Sequence, residues 1–250
     1  MRQLRVALVL LLVGGLLTTV AFVMAFTTAE MQRFGTVTLD EPVDTAFPLR
    51  EVNDRGFVYE RPWFSQKIFY FHVPVAQASF LVFGVAAFYS IRFLAKRRKA
   101  DDTKALIAME AAIIFVMLTM ITGILWTRAA WGVWWEWEPR LTTYFIMTLM
   151  MIGYFVLRNS IEDEERRAVY AAAFGIIAFV NAPISFFITR LVPSSHPAGV
   201  FQSDFATSNL IPFLIALAGM LMLGYAIYAI RMNEVRLEER VEVLKNSLEQ

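Results

Sequence analysis

The chain has 250 residues, of which 58% are hydrophobic and 18% are charged, and its net charge is +1. This composition is too apolar for an ordinary soluble domain, and the near-neutral charge gives no indication of a nucleic-acid partner. Because the chain contains no cysteine, disulfide exchange, thiolate metal sites and covalent attachment of a prosthetic group through cysteine are excluded.

Six apolar segments are long enough to cross a bilayer, which takes about 20 residues in a helix. Backbone groups in lipid must bond within their own segment, and the alternating pattern of a barrel strand is absent, so we predict helices. The first segment is longer than the apolar stretch of a typical signal peptide, and we expect a retained anchor. The segments are Val6–Phe26, Ile68–Leu94, Ala105–Trp126, Leu141–Leu157, Ala168–Leu191 and Leu210–Ile230. The predicted fold is all-α, an integral membrane domain over residues 1–230.

The basic residues indicate how the spans are oriented. About two thirds of the Lys and Arg residues lie at the N-terminus, in the second and fourth loops and in the tail, and the positive-inside rule places these faces in the cytoplasm. Both termini are then cytoplasmic. The loops at 27–67, 127–140 and 192–209 face outward, and we expect a multi-pass protein of the cytoplasmic membrane.

Two segments outside the spans allow more than one interpretation. The long outward loop, 27–67, contains a candidate short strand at Gly35–Leu39 and fits a lid, a docking surface or an ordered connector. The tail, 231–250, has the apolar pattern of a short amphipathic helix. It fits either a helix packed on a cytoplasmic partner or a helical extension of the last span. The apolar residues of the tail are Leu237, Val241, Leu244 and Leu248.

The only two histidines, His72 and His196, are both predicted at the outward face. Pro74 is compatible with the first turn of a helix, so we expect His72 just before that turn, at the interface. Pro197 favours extended geometry for His196, in the fifth loop. A single interfacial histidine is more often a surface or capping residue. Two on one face also fit the paired imidazole ligands of a haem iron, and the residues alone leave both interpretations open.

Between the histidines lies a segment with four tryptophans in seven residues. If it is helical, Trp131, Trp134 and Trp135 share a face, and Pro139 ends the helix near Glu138. The result would be an aromatic shelf with polar residues at its edge. Tryptophan also forms interfacial belts, but this density favours a platform for a flat ligand. The tryptophans are Trp131, Trp134, Trp135 and Trp137.

Charged and polar residues near this face are weaker candidates. Arg128 and Arg140 flank the shelf and are suited to the carboxylates of a haem, although arginines at helix ends often only anchor them among lipid headgroups. Arg190 ends the fifth span on the same side, and for it we favour the anchoring interpretation. Asn181 and Pro183, in the fifth span, predict a kink or a bond to a neighbouring helix. Since no phosphate loop, nucleophilic triad or carboxylate pair stands out, we do not expect an enzyme.

The chain resembles a known family at three places. Trp131-Gly-Val-Trp-Trp-Glu-Trp-Glu-Pro-Arg-Leu-Thr142 is similar to the tryptophan-rich signature of haem-handling proteins of cytochrome c maturation. Lys67-Ile-Phe-Tyr-Phe-His-Val-Pro74, and Asn181-Ala-Pro183 followed by His196, match the haem exporter protein C type (CcmC) in order and spacing. The resemblance covers residues 67–230. In this signature an Asp usually stands where this chain has Glu138, and the first outward loop is longer than expected for the family.

The resemblance implies that haem is held non-covalently and transiently, as b-type haem, at the outer face of the membrane. His72 and His196 would ligate the iron, and Trp131–Arg140 would support the ring. The haem would pass to a periplasmic haem chaperone, with ATP-binding-cassette transporter subunits and a small membrane subunit as further partners. Larger synthetase-type relatives carry a second histidine pair, and this chain has no histidines left for one.

Two other functions remain open on the sequence. A b-type electron-transfer cytochrome would use the same ligands but would keep its haem, usually between helices within the bilayer. A small-solute permease would show broken helices or buried charges at mid-membrane.

Overall fold

The computed structural model describes residues 2–29, 37–38, 50–52, 57–60, 67–192, 196 and 207–248. Within these residues, six helices are long and apolar enough to cross a membrane. The predicted all-α fold with six spans is therefore confirmed. The helices are α1 (Arg2–Thr27), α2 (Phe69–Lys96), α3 (Lys99–Trp131), α4 (Pro139–Ser160), α5 (Glu164–Leu191) and α6 (Thr207–Leu248). The side of the membrane on which the termini lie stays a prediction.

The loop between α1 and α2 contributes a small antiparallel sheet. Its strands are β1 (Val37–Thr38), β2 (Arg50–Val52) and β3 (Phe57–Glu60), and β3 lies between the other two. Strand β1 falls within the strand predicted at Gly35–Leu39. The Lys67 ammonium donates to the Ala29 carbonyl at 2.9 Å, which joins the end of α1 to the residues preceding α2.

Several helices extend beyond the apolar segments that predicted them. Helix α3 begins at Lys99 rather than Ala105, and α6 continues without a break to Leu248. An apolar run marks the part of a helix suited to lipid, whereas the hydrogen bonds of the helix continue into polar sequence. The tail is thus a helical extension of the last span, and its apolar side chains, such as Leu237, are exposed. Arg236 also contacts Gln3, so the tail and the N-terminus lie at the same end of the protein.

The main core lies among helices α2 to α5. Large side chains such as Phe83, Met147 and Tyr154 fill it, and alanines on the facing helices allow the backbones to approach closely. The alanines of this core are Ala86, Ala108, Ala112, Ala171, Ala178 and Ala182.

Ion pairs join the helices at the end that carries the two termini. Arg158 forms two hydrogen bonds to the Asp102 carboxylate, at 2.9 and 2.6 Å, between α4 and α3. Asp101 lies 3.4 Å from Arg92 of α2. Because a buried carboxylate without a partner is costly, these pairs tie α2, α3 and α4 together.

Asn181 bonds a neighbouring helix, as one of the two predictions for it stated. Its amide nitrogen donates to the Thr143 carbonyl of α4 at 2.7 Å. Helix α5 continues through Pro183. This contact joins α5 to α4 about one turn from the N-terminus of α4.

Helices α1 and α6 pack through glycines. A Cβ atom placed on Gly14 would lie 2.9 Å from the Gly219 carbonyl oxygen and 3.1 Å from the Leu223 nitrogen. Such distances to backbone atoms are too short for a side chain, so the two helices touch backbone to backbone. A Cβ atom placed on the next glycine, Gly15, would have no neighbouring atom within 4 Å.

We expect Gly14→Val to destabilise the protein by about 1–3 kcal/mol, because the added carbons collide with the α6 backbone. The thermal midpoint of the purified protein should fall by several degrees. Gly15→Val is the matched control, since it introduces the same residue one position along the same helix without a collision. Equal midpoints for the two variants would contradict the described packing of α1 on α6.

Candidate functional site

A cavity opens at the end of the bundle opposite the termini, among α2, α3, α4 and α5. The empty space in and in front of it is about 1260 Å³, a figure that includes open solvent at the mouth. Its walls combine aromatic side chains with a few polar groups. The lining residues used below are His72, Phe80, Trp126, Trp135, Arg140, Ser185, Phe186, Thr189, Arg190 and His196.

His72 lies inside the first turn of α2 and is buried. Its Nδ1 atom lies 2.9 Å from the Thr122 hydroxyl oxygen, and its ring meets that of Trp126 edge to face, with centroids 5.5 Å apart. The prediction that His72 precedes the helix is wrong, because α2 begins at Phe69. Tyr70 is buried in a cluster with Ala25 and Phe213, and this burial stabilises a helical turn ahead of Pro74.

His196 reaches the same cavity from the loop after α5. Its Nδ1 atom lies 3.4 Å from a carboxylate oxygen of Glu138. Burial lowers the pKa of His196 below its usual value, and the positive charge of Arg140 acts in the same direction, although the Glu138 contact opposes them. The imidazole is therefore neutral at pH 7 and retains a nitrogen lone pair, which is the form that ligates a metal. The structure brings the two histidines together in one cavity.

Glu138 is buried and caps the N-terminus of α4. One carboxylate oxygen accepts from the Leu141 N–H at 2.6 Å, and the other accepts from the Arg140 N–H at 3.1 Å. Pro139 follows as the first helical residue, the position at which proline is favoured. Asp is the usual acidic residue at a helix N-cap, and here the longer Glu138 side chain reaches the same backbone groups. The capping role of Glu138 was not predicted from the sequence. The signal that could have indicated it is the pair Glu138-Pro139 just before an apolar run.

The tryptophan segment is not helical beyond Trp131, so the condition for the predicted helical stripe is not met. Helix α3 ends at Trp131, and Gly132 adopts a left-handed conformation with φ 77°, which is typical of a helix C-cap. Trp135 lines the cavity, whereas the side chains of Trp134 and Trp137 are 60% and 70% exposed. The side chain of Trp131 lies outside the described part of the structure. The segment therefore supplies one cavity wall and two exposed rings beside it.

The arginines fall into two groups. Arg128 is exposed and bonds the Gly132 carbonyl, with its guanidinium carbon 5.5 Å from the centre of the Trp134 ring. Arg140 lines the cavity and donates to the Phe186 carbonyl at 2.9 Å and to the Thr189 hydroxyl at 3.1 Å. Arg190, which the sequence did not favour, also lines the cavity. Arg140 and Arg190 thus face the cavity, and Arg128 belongs to its surroundings.

The polar atoms of the cavity wall are not all paired. In the described part of the chain, Trp135 Nε1, Arg140 Nε and Ser185 Oγ are buried without a hydrogen-bond partner. Buried donors without partners are costly, and these three residues line one cavity, which marks it as a place for a ligand with acceptor atoms. Sequence analysis missed Ser185 and Trp126, because an isolated serine or tryptophan in a span carries no distinguishing pattern.

Among the described residues, no group of three His, Cys, Asp or Glu side chains could hold a bare metal ion. The donor set at the cavity consists of two imidazoles, which suits an iron whose other four ligands come from a macrocycle. Fold and site together define a multi-pass helical membrane protein with a deep ligand cavity at one end of the bundle.

Comparisons with known proteins agree with this class. The family model for haem exporter protein C matches residues 63–247. A haem exporter protein C of Bradyrhizobium diazoefficiens is 33% identical over 72% of this chain and 70% of its own length. Those of Rhodobacter capsulatus and Escherichia coli K12 are 29% and 24% identical, over 74% and 68% of this chain and 76% and 70% of their own lengths. The chain belongs to the haem exporter protein C family.

We expect Glu138→Ala to lower the free energy of unfolding by about 0.5–2 kcal/mol, because the first backbone N–H groups of α4 lose their acceptor. Glu138→Asp should retain most of the stability, since a shorter carboxylate can cap the same groups. Thermal unfolding in detergent would measure both. Glu136→Ala, at an exposed neighbouring carboxylate, is the control, and an equal loss there would contradict the capping role.

Proposed function

We propose that this protein binds haem non-covalently between His72 and His196 and presents it for delivery during cytochrome c maturation. The observation that carries the proposal is that two histidines far apart in sequence line the same cavity. Membership of the haem exporter protein C family supports haem as the cargo. The protein acts as a carrier rather than as an enzyme.

The chemistry of the cavity suits haem as cargo. Two neutral imidazoles can supply both axial ligands, and Trp126, Phe80 and Phe186 provide apolar walls for the ring. The carboxylates of the propionates need cationic donors, which Arg140 and Arg190 can provide. The unpaired donor atoms of Trp135 and Ser185 can complete their hydrogen bonds.

The arrangement also suits release of the haem. Since the chain has no cysteine, no thioether bond can hold the haem, and exchangeable imidazole ligands allow it to leave. His196 lies outside the helices, between α5 and α6, so displacement of this side chain alone would remove one ligand. The exposed rings of Trp134 and Trp137 lie beside the cavity, where they can support the haem as its edge faces an acceptor.

The proposed setting follows from the family and the charge pattern. The protein lies in the cytoplasmic membrane with its cavity facing the periplasm or exterior. A periplasmic haem chaperone would accept the haem, and ATP-binding-cassette transporter subunits with a small membrane subunit would complete the complex. A protein that loads and unloads haem at the outer face needs an accessible cavity at one end of the bundle, as this fold provides.

We expect His72→Ala and His196→Ala each to abolish the low-spin bis-imidazole spectrum of the haem-loaded protein, because either change removes one axial ligand. Optical spectra of the purified protein, oxidised and then reduced with dithionite, would measure this. Added imidazole should restore the low-spin spectrum in each variant, which controls for unfolding.

A wild-type spectrum in both single variants would refute the ligand assignment. Loaded wild-type protein should also lose its haem to excess apomyoglobin. Haem that stays bound under these conditions would favour an electron-transfer cytochrome instead.

We expect Arg140→Gln to weaken haem binding about tenfold or more, because a charged donor to a propionate is lost. Arg128→Gln is the matched control outside the cavity and should bind haem nearly as well as the wild type. Titration with haem dimethyl ester should remove the difference between Arg140→Gln and the wild type. Equal effects of the two arginine substitutions would contradict the proposed propionate site.

A further inference from the structure

Three residues on one face of α3 contact the ring of His72. The Thr122 hydroxyl oxygen lies 2.9 Å from Nδ1. A Cβ atom on Gly123 would lie 3.1 Å from Cε1 of the ring, so the imidazole packs against the bare backbone at that residue. Trp126 presents its ring to that of His72 at an interplanar angle of 81°. One face of a single helix therefore determines where this imidazole lies and how it is turned.

The surroundings of Thr122 favour one tautomer of His72. The Thr122 hydroxyl has two carbonyl oxygens of its own helix within hydrogen-bond distance, Leu118 at 2.8 Å and Thr119 at 3.2 Å, and both can only accept, which favours donation of its single proton to the helix. Its oxygen then accepts the hydrogen bond from the ring, so Nδ1 carries the proton of His72. A neutral imidazole has one N–H, and its lone pair is consequently on Nε2.

We propose that Thr122 is a positioning residue that holds His72 in the Nδ1-protonated tautomer, so that Nε2 is the nitrogen presented to an iron. The inference rests on the proposed function, since it names how one ligand of that site is prepared. A ligating histidine commonly donates its other N–H to a neighbouring acceptor, which fixes the tautomer and raises the basicity of the ligand. Thr122 supplies that acceptor from α3.

Gly123 has a related part in this arrangement. A Cβ atom at this residue would press on Cε1, and the ring would have to shift by a few tenths of an ångström. The sequence Thr122-Gly123 therefore provides an acceptor for one ring nitrogen and space for the ring beside it. Neither residue would touch the iron, and both act through His72.

The test uses the haem-free, full-length protein labelled with ¹⁵N-histidine. Because the chain has only two histidines, the spectrum contains two imidazole rings, and His196→Gln assigns them. We expect His72 to show a protonated Nδ1 and an unprotonated Nε2. The Thr122→Val side chain has nearly the same shape but no acceptor. In this variant the ratio of Nδ1-protonated to Nε2-protonated His72 should fall by about fivefold or more. Thr122→Ser should restore the wild-type ratio.

Thr148→Val is the matched control, since the buried Thr148 hydroxyl bonds only the Tyr144 carbonyl of its own helix, and it should leave the His72 signals unchanged. Protonation of Nε2 in the wild type would by itself overturn the proposal. A folded Thr122→Val protein with the wild-type ratio of Nδ1-protonated to Nε2-protonated His72 would also overturn it.

Haem titration of the same proteins separates this proposal from the proposed function. Thr122→Val should bind haem about tenfold more weakly than the wild type and Thr122→Ser. If the wild type shows the expected tautomer but binds no haem, the proposed function fails while the positioning of His72 stands. If the wild type binds haem through His72 and the tautomer is insensitive to Thr122, the positioning role fails alone.

Discussion

The carboxylate of Glu138 connects the parts of the site. It caps the first turn of α4, and it lies beside the His196 ring. The tryptophan segment therefore ends at Glu138, where α4 begins. Arg140, in the first turn of α4, lines the cavity. A helix N-terminus attracts negative charge and leaves backbone N–H groups unpaired, so a buried carboxylate is stable there. The same carboxylate therefore serves both the helix end and the histidine beside it.

The two histidines are held in different ways. His72 lies within a helix and is in contact with three residues of α3, so its position depends on the packing of two long spans. His196 lies between α5 and α6 rather than within a helix, and its ring lies beside the Glu138 carboxylate at the N-terminus of α4. The position of His72 therefore depends on helix packing, whereas that of His196 involves the capped end of α4.

The end of the bundle opposite the cavity is held by ion pairs between helices. Asp102 and Arg158 form a two-point pair between α3 and α4, and Glu110 pairs with Arg231 of α6 at 2.9 Å. At the opposite end, α2, α3, α4 and α5 enclose the cavity, whose wall includes buried polar atoms without a partner among the described residues. Ion pairs within apolar surroundings are costly to separate, so these pairs hold the helices together at the end away from the cavity.

The sequence by itself determined the six spans, the helical tail and the histidines, tryptophans and arginines from which the site is built. A segment in lipid must satisfy its own backbone hydrogen bonds as a helix, so each span can be read from one continuous apolar run. Rare residue types stand out against such an apolar chain. Only the tertiary structure decided which of these residues meet. Gly132 turns the tryptophan segment out of the helix, so Trp135 and not Trp134 lines the cavity. The packing of α3 and α5 around the site places three further residues there, Thr122, Trp126 and Ser185. Contacts between helices depend on rotation and tilt, which follow from the fit of many side chains at once and leave no local pattern in the chain.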